Sequence, residues 1–460
     1  MKNNIDVFEK YSIPKAVFTL ATPTMLSMLV TIFYNMADTF FVGQTNDANQ
    51  VSAVSLTTPI FTIIMALGNV FGVGGSSFIS RALGQGDRHK VKNISSFCFY
   101  GSIVAGLLMM VVFLCFMDTI LSLIGTSADT IDYARQYLEY LLIGTVFIVA
   151  SFGFCNIIRG EGNAKISMIG MMIGTIVNIV LDPIMILTLK MGVAGAAIAT
   201  VIGNICSVIF YIVYFIKGNT ILSISPKDFS IKKIIGGVFL IGIPASLNNL
   251  LMSLSNIILN RYLYSYGDDA IAGMGVAMKA NMLVVMLQLG LGMGIQPLIG
   301  YNFGARNYKR MKKVMHFAMI VNVIIGVVLT AVYLMFTENV VEIFIKDESV
   351  VSYGVQMLRA LMLSSAVIGI MFVFSFSFQA MGKAIPSLIL SISRQGFVFL
   401  PVVAVGSSLF GLSGIIFAQP IADLVSLIIS LVMFIIITKQ MKKEDDLEDK
   451  IFQQDLSAKY

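Results

Sequence analysis

The sequence predicts an all-α integral membrane protein with twelve transmembrane helices arranged as two six-helix repeats. Three observations lead to this fold class. The 460-residue chain is 57% hydrophobic and only 12% charged, whereas soluble domains contain roughly 25% charged residues. Apolar stretches of the length that crosses a bilayer, about 20 residues, recur about twelve times between short polar breaks. The two halves of the chain also repeat each other at a near-constant shift.

The predicted spans follow one another with short polar loops between them. They cover residues 13–43, 52–80, 93–117, 133–158, 167–189, 192–216, 234–264, 270–300, 313–336, 350–379, 387–409 and 412–438. The first span is longer than the apolar part of a cleavable signal peptide, about 7–15 residues, and it lacks a small-residue cleavage pattern. We therefore expect it to be the first transmembrane helix.

A shift of 219 to 221 positions brings the second half into register with the first. It places Pro23 on Pro244 and Gly84 on Gly304. Because six is an even number, both repeats have the same topology, as in secondary transporters whose halves are related by an axis along the membrane normal. We expect an N-lobe over residues 1–216 (transmembrane helices 1–6), a cytoplasmic linker over 217–232, a C-lobe over 233–438 (transmembrane helices 7–12) and a cytoplasmic tail over 439–460.

The positively charged residues predict the orientation in the membrane. Of the 31 Lys and Arg residues, 24 fall in the segments on the side of the N-terminus. Five fall on the other side, namely Arg135, Lys190, Arg261, Lys346 and Arg359. Because Lys and Arg collect in cytoplasmic loops, we expect a multi-pass plasma membrane protein with both termini in the cytoplasm. The net charge of +6 is then a topology signal, and nucleic acid is not an expected partner because no aromatic-interleaved basic surface accompanies it.

Two acidic residues lie inside apolar spans of the first half, and neither has an acidic counterpart in the second half. Leu259 occupies the position equivalent to Asp38, and Pro401 or Val402 occupies that of Asp182. An ionised carboxylate near the bilayer centre costs about 2.5–3.5 kcal/mol even on lenient insertion scales. Since the repeated scaffold does without acids at these places, we predict a functional role for both residues.

Two polar residues at similar depth would complete a cation site with these acids. Asn178 precedes Asp182 by one helical turn on the same face. By residue count from the outer end of its span, Thr200 also lies in the outer half of the membrane. Carboxylate, amide and hydroxyl oxygens suit a hard monovalent cation, so Asp38 and Asp182 would be sodium ligands in a sodium-coupled protein. Two adjacent carboxylates could instead share a proton. The plainer interpretation is that each Asp caps or bridges helices as a satisfied buried group.

Other residues are weaker candidates. Tyr34, Asn35 and Asn156 are candidate substrate or network residues, although Asn156 counts to the inner end of its span and fits the site only if that helix bends. Pro23 and Pro183 would each free a carbonyl group and kink a helix. Such kinks serve as hinges or merely as packing features.

In the second half, charged residues also fall inside predicted spans. By residue count, Lys279 and Asp423 both lie near the middle of the membrane, so we predict that they form a neutralising charge pair, with a role in substrate binding as the alternative. Arg394 lies in the eleventh span. The chain lacks paired motifs for metal, nucleophile or phosphate chemistry, so we expect neither an enzyme nor a cofactor beyond a coupling ion. Its 29 Met and 33 Phe suit a cavity that accepts varied amphipathic cations.

These segments together resemble the multidrug and toxic compound extrusion (MATE) family, in its DinF-like branch and MepA-like subgroup. The resemblance covers nearly the whole chain and is carried by Pro23 and by residues 34–43, 80–84, 178–183, 192–200 and 301–305. It implies two six-helix lobes in a V-shaped arrangement that export organic cations in exchange for inward sodium ions or protons.

By this resemblance, Asp38, Asn178, Asp182 and Thr200 match the N-lobe cation-binding network of that branch. Other members of the family carry acids in the seventh and tenth helices. This chain has Asn248 and Asn249, then Ser375 and Ser377, in those helices. The resemblance therefore does not extend to a C-lobe sodium site.

We therefore expect a monomeric, secondary active multidrug efflux transporter in the lipid bilayer, exchanging small amphipathic cationic compounds for sodium ions or protons. The alternative is a flippase for a lipid-linked headgroup, from the same superfamily. An anionic headgroup would require several Lys or Arg residues in the cavity, and only Lys279 and Arg394 are available.

Overall fold

The protein was analysed as a computed structural model that describes residues 2–45, 47–217 and 220–457, without the side chains of residues 2–4, 35, 38, 39 and 442–457. The first half consists of α1 (Lys2–Glu9), α2 (Ile13–Gly43), α3 (Ala48–Gly84), α4 (Arg88–Cys115), α5 (Met117–Leu123), α6 (Ile131–Ile143), α7 (Thr145–Gly160), α8 (Ala164–Asp182) and α9 (Gly192–Ile216). The second consists of α10 (Ile235–Leu263), α11 (Asp268–Gly304), α12 (Tyr308–Met335), α13 (Thr337–Glu342), α14 (Glu348–Leu363), α15 (Ser365–Ala380), α16 (Ala384–Ile392), α17 (Phe399–Phe410) and α18 (Leu412–Ser457).

The helices account for the predicted membrane spans. Within the described ranges, ten helical segments are long and apolar enough to cross a membrane, or up to twelve if each of two bent pairs forms one span. The bent pairs are α6 with α7, at 55°, and α14 with α15, at 49°. The regular structure of these ranges is helical throughout. The prediction of an all-α, multi-pass membrane protein is confirmed.

The duplication seen in the sequence is also present in the structure. The bend between α6 and α7 falls at Gly144, and the bend between α14 and α15 falls 220 residues later, at Ser364. The ends of α3 and α11, at Gly84 and Gly304, are separated by the same distance along the chain. The two halves are therefore two copies of one helical arrangement.

The two lobes are joined at one end of the molecule, which we call the basic end because it carries Arg88 at the start of α4, Lys227 in the linker and Arg310 in the first turn of α12. A large cluster of buried apolar side chains crosses both halves near this end. Toward the opposite end each half has its own separate cluster, one including Leu138 and the other including Leu358. A shared core at one end and separate cores at the other give the arrangement expected of a V.

Glycines allow the lobes to approach closely at this junction. A Cβ atom on Gly74 of α3 would lie 2.1 Å from the carbonyl oxygen of Val238 on α10. A Cβ atom on Gly242 of α10 would lie 2.1 Å from the carbonyl oxygen of Val70. Since real Cβ contacts are never this short, any larger residue would push the backbones apart. Small residues thus allow the helices to pack closely at this junction.

The linker between the halves lies along α4. The hydroxyl groups of Ser95, Ser96 and Tyr100 donate to the consecutive carbonyl groups of residues 223–225 over 2.8–3.0 Å. A short 3₁₀ turn, Pro226–Asp228, follows. At the other end of the chain, α18 continues to Ser457, through the region that the sequence predicts as a polar tail.

A feature that the sequence did not predict is the N-terminal clasp, formed by residues 8–11 with Tyr301 and Arg310. Arg310 Nε donates to the Phe8 carbonyl at 2.8 Å and Nη2 to the Tyr11 carbonyl at 2.7 Å. Tyr301 OH donates to Glu9 Oε1 at 2.6 Å, and its ring stacks on that of Phe8. Because α1 leads directly into α2, the clasp ties the start of the first lobe to the second lobe.

Replacing Arg310 with Ala should loosen the basic end. The variant loses two charge-assisted hydrogen bonds, each of which contributes about 1.5–3 kcal/mol, so local opening becomes more frequent. We expect backbone amides of residues 5–12 to exchange hydrogen about tenfold faster or more in the variant. Hydrogen–deuterium exchange with mass spectrometry measures this. Lys309→Ala, one residue away and exposed, is the matched control, and equal exchange in the two variants would contradict the role of the clasp.

Candidate functional site

The candidate site is built around an irregular helix end. Helix α8 ends at Asp182, and a π-helical turn, Pro183–Thr188, follows directly. Pro183 has no N–H to bond the carbonyl group of Ile179, so the regular α-helical pattern cannot continue through it. Turns of this type are frequent at functional sites. The kink predicted at Pro183 is thus a π turn, whereas Pro23 lies within the continuous helix α2; the hinge roles of both stay predictions.

Three of the predicted network residues meet beside this turn. Asn178 Nδ2 lies 3.3 Å from Asp182 Oδ1 and 3.3 Å from Thr200 Oγ1 on α9. If the Asn178 amide is rotated by 180°, its nitrogen donates to Asp182 Oδ2 at 3.2 Å and its oxygen accepts from the Thr200 backbone N–H at 3.1 Å. In either orientation Asn178 bridges the other two. All three side chains are buried.

Helix α2 contributes a further hydroxyl group to the cluster. Tyr34 OH lies 3.3 Å from Thr200 Oγ1, so polar groups from three helices form a chain of contacts from Tyr34 through Thr200 and Asn178 to Asp182. Asn35 and Asp38 belong to α2, but their side chains lie outside the described residues. The predicted contribution of Asp38 therefore stays a prediction, while the structure brings together Tyr34, Asn178, Asp182 and Thr200.

The cluster opens onto a cavity of about 440 Å³ inside the first lobe. Tyr34, Asn178 and Thr200 line it, together with aromatic and thioether side chains that include Phe61 and Met65. Its volume lies within the range of about 300–1,000 Å³ typical of pockets for small organic molecules. The cavity thus has a polar end, formed by Tyr34, Asn178 and Thr200 next to the Asp182 carboxylate, and an apolar wall.

Asn156 does not join the acidic cluster. Its amide donates to Asn69 Oδ1 at 3.3 Å and to the Phe152 carbonyl at 2.9 Å, and its oxygen accepts from Arg159 Nη1 at 3.0 Å. The bend at Gly144 therefore leaves Asn156 in a second polar cluster nearer the basic end. Sequence reasoning missed Arg159, because this residue was counted among the basic loop residues.

The predicted charge pair between Lys279 and Asp423 is wrong. Asp423 is paired with Arg394, whose Nε lies 2.8 Å from Asp423 Oδ1. Gln419 Nε2 also donates to Asp423 Oδ1, at 3.0 Å. Both charged side chains of the pair are buried, whereas Lys279 is exposed. Arg394 also lies over the ring of Phe372, 5.4 Å from its centroid.

The reason for this error is lateral helix packing. Counting residues gives only depth in the membrane, and Lys279 and Asp423 have similar depth. However, α18 packs against α17, α15 and a second π turn, Ser393–Phe397, and this turn carries Arg394. The π turns of the two halves are not in register. Each lies at a buried charged residue of its own lobe, Asp182 in the first and Arg394 in the second.

Comparison with known proteins gives matches over nearly the whole chain. A family model described as MatE matches twice, over residues 23–184 and 244–405. The start points of these ranges are 221 residues apart, in agreement with the internal repeat. Each half of the chain therefore contains one copy of the unit that this family model describes.

Individual relatives agree with the family match. A curated protein named multidrug export protein MepA, from Staphylococcus haemolyticus, is 37% identical over 430 residues, which cover 93% of this chain and 94% of that protein. A crystal structure of MATE in complex with MaL6 superposes with a TM-score of 0.92 at 27% identity, covering 96% and 100% of the two chains. The outward-facing structure of a multidrug resistance MATE family transporter of the MOP superfamily superposes with a TM-score of 0.91 at 27% identity, covering 96% of this chain and 99% of that chain.

The buried pair in the second lobe gives a stability prediction. Asp423→Asn leaves the Arg394 charge buried without its carboxylate and should destabilise the protein by about 3–5 kcal/mol. Replacing both residues, as in Arg394→Met with Asp423→Leu, should recover most of this loss. Thermal melting in detergent measures both effects. Asp118→Asn breaks the exposed pair with Arg135 and should cost under about 1 kcal/mol; an equally small loss for Asp423→Asn would contradict the prediction.

Proposed function

The chain belongs to the MATE family, and on that premise we propose that it is a secondary active transporter that exports amphipathic organic cations in exchange for inward-moving sodium ions or protons. The observation that carries this proposal is the buried cluster of Asp182, Asn178 and Thr200 at the edge of the first-lobe cavity. The name of the MepA relative, multidrug export protein, supports the same proposed function.

The chemistry of the cluster suits a coupling cation. Burying a carboxylate away from water is costly unless the charge is compensated, and Asp182 is fully buried. A sodium ion would find oxygen ligands from Asp182, Thr200 and the Asn178 amide, the hard donors that such cations prefer. A proton on Asp182 would instead remove the charge. Either event changes the electrostatic energy of the first lobe.

The cavity beside the cluster suits an amphipathic cation. Its wall includes the aromatic rings of Phe61, Tyr137 and Phe152 and the thioethers of Met65 and Met171. Aromatic faces attract organic cations, and Met side chains adapt to ligands of varied shape. A flexible, aromatic wall is therefore compatible with a range of substrates.

The lining disfavours the alternative, a flippase for a lipid-linked headgroup. No Lys or Arg is among the described residues that line the cavity, although an anionic headgroup would need such groups. In the second lobe, the charge of Arg394 is neutralised by Asp423. An anionic substrate would thus meet little positive charge along the described cavity wall.

Coupling follows from the way the lobes are joined. With the basic end in the cytoplasm, as the positive-inside rule indicates, the lobes are closed on the cytoplasmic side. The similarity to an outward-facing MATE transporter agrees with this orientation. A coupling cation drives export only if it binds one lobe arrangement more tightly than the other. Asp182 sits beside a π turn, where binding can alter the helix geometry.

The proposal predicts that ethidium efflux from proteoliposomes is driven by an imposed sodium gradient or by an imposed pH gradient. Asp182→Asn should reduce the gradient-driven part by about 5–150-fold, the usual range of coupling between two sites. Asp38→Asn tests the residue predicted from sequence in the same assay. Fluorescence of ethidium reports the flux, with each gradient imposed alone so that the coupling ion is identified.

The matched control is Asp118→Asn, an identical change at an exposed salt bridge with Arg135, which should export at the wild-type rate. Efflux by Asp182→Asn at that same rate would refute the proposed site. If the wild-type protein exports no ethidium under either gradient, the proposal of broad cation export fails.

A further inference from the structure

A buried positive charge lies between the cavity and the basic end. Arg159, in the last turn of α7, is 3% exposed. Its Nη1 donates to Asn156 Oδ1 at 3.0 Å and its Nη2 to Cys155 Sγ at 3.6 Å. Nε makes no hydrogen bond within the described part of the chain. The acceptors are neutral, and none of the salt bridges found among the described residues includes Arg159.

The cavity reaches toward this charge along α9. From the acidic cluster at Thr200, the cavity wall continues along that helix through Asn204 to Ser207, a distance of about 10 Å at the helical rise. Cys155 also lines the cavity, and its sulfur is the atom that accepts from Arg159. The guanidinium group therefore lies directly behind the inner wall of the cavity.

The polar face of α9 continues past the cavity. Tyr211 follows Ser207 by four residues and Tyr214 follows by three more, so all three lie on one face. Tyr211 OH donates to the Ser167 carbonyl at 2.8 Å, and Ser167 Oγ lies 3.0 Å from Cys155 Sγ. Arg159 is thus connected through Cys155 to the middle of this polar face.

The polar face ends at a buried acid. Tyr214 OH donates to Glu161 Oε1, and Thr220 Oγ1 donates to Glu161 Oε2 at 2.6 Å. Glu161 is in the loop between α7 and α8, and burial raises the pKa of its carboxyl group. Hydroxyl, amide and carboxyl groups therefore extend from Thr200 to Glu161 over about 21 Å of α9. Such a row of polar groups is a route by which a cation or proton could bypass the exchange cycle.

We propose that Arg159 is an electrostatic barrier that closes the basic end of the first-lobe cavity to cations, so that the coupling ion can leave only when the lobes rearrange. A fixed positive charge in a low-dielectric interior repels cations strongly, and a pore-lining Arg excludes protons and cations in other membrane proteins. The carbonyl groups at the end of α7 stabilise the charge. The inference rests on the proposed function only in assuming that a cation enters the cavity.

The test is a leak measurement without any substrate. Proteoliposomes carrying wild-type protein, Arg159→Gln or Arg159→Lys are given a pH gradient or a sodium gradient, and its dissipation is followed with a pH-sensitive dye or radioactive sodium. We expect Arg159→Gln to leak about tenfold faster or more, since the field in a low-dielectric cleft changes the local ion concentration by about tenfold or more. Arg159→Lys retains the charge, so its proteoliposomes should lose the gradient no faster than those with the wild-type protein. Arg135→Gln, at an exposed position, is the matched control.

Two further variants separate a barrier from a packing role. Arg159→Met keeps much of the side-chain volume without charge, and it replaces Arg159→Gln if the latter does not fold. Adding Glu161→Gln to the leaking variant should slow the proton leak, because the acceptor at the far end is lost. If correctly inserted Arg159→Met leaks no faster than the wild type, the inference is overturned. Equal leak rates for Arg159→Lys and Arg159→Gln would overturn it as well. Because no drug is present, the result is independent of whether ethidium is exported.

Discussion

A carboxylate inside a membrane protein imposes a constraint on everything around it. Asp182 is fully buried, and such a group is stable only when dipoles, a proton or a cation offset its charge. The Asn178 amide supplies a dipole 3.3 Å from Asp182 Oδ1 and links the carboxylate to Thr200. The end of α8 and the π turn at Pro183 place these groups around the edge of the cavity. Under the proposed function, a cation that binds here would compensate this buried charge.

In the proposed mechanism, the rest of the molecule turns cation binding at Asp182 into a rearrangement of the two lobes. The lobes share one core at the basic end and have separate cores at the other end, so the proposed rearrangement would pivot at the basic end, where glycines and the N-terminal clasp hold the lobes together. The second lobe neutralises its own buried charge internally, through Arg394 and Asp423. In the first lobe, Arg159 donates to the neutral acceptors Asn156 and Cys155, and we propose that its charge closes the basic end of the cavity to cations.

Much of the fold could be predicted because it depends on features that are local in sequence. Apolar stretches define the spans, and the repeat is visible from glycine and proline positions. The family model matches one range in each of the two repeats. The contact between Asn178 and Asp182 could be predicted from their spacing of one helical turn. The inclusion of Thr200 in the cluster could be predicted from its similar depth in the membrane. Their role in ion coupling stays a prediction. The side chain of Asp38 lies beyond the described residues.

The remaining features depend on lateral packing, which depth does not reveal. Lys279 and Asp423 match in depth, yet Arg394 is the neighbour of Asp423 because α18 packs on the π turn that carries Arg394. Position in a loop region also concealed Arg159 and Glu161, since a charge near the end of a span is usually solvated. The N-terminal clasp involves partners 292 residues apart, Glu9 and Tyr301, and no local pattern indicates such a contact.

The central claim is that Asp182 binds the coupling cation, and ligand-linked melting tests it most directly. A ligand that binds only the folded state raises the melting temperature. Purified protein should melt higher when sodium replaces a bulky organic cation at constant ionic strength, or when the solution is acidified, and Asp182→Asn should lose that shift while Asp118→Asn keeps it. An identical shift in Asp182→Asn and the wild type would contradict the account, because the cation would then bind elsewhere.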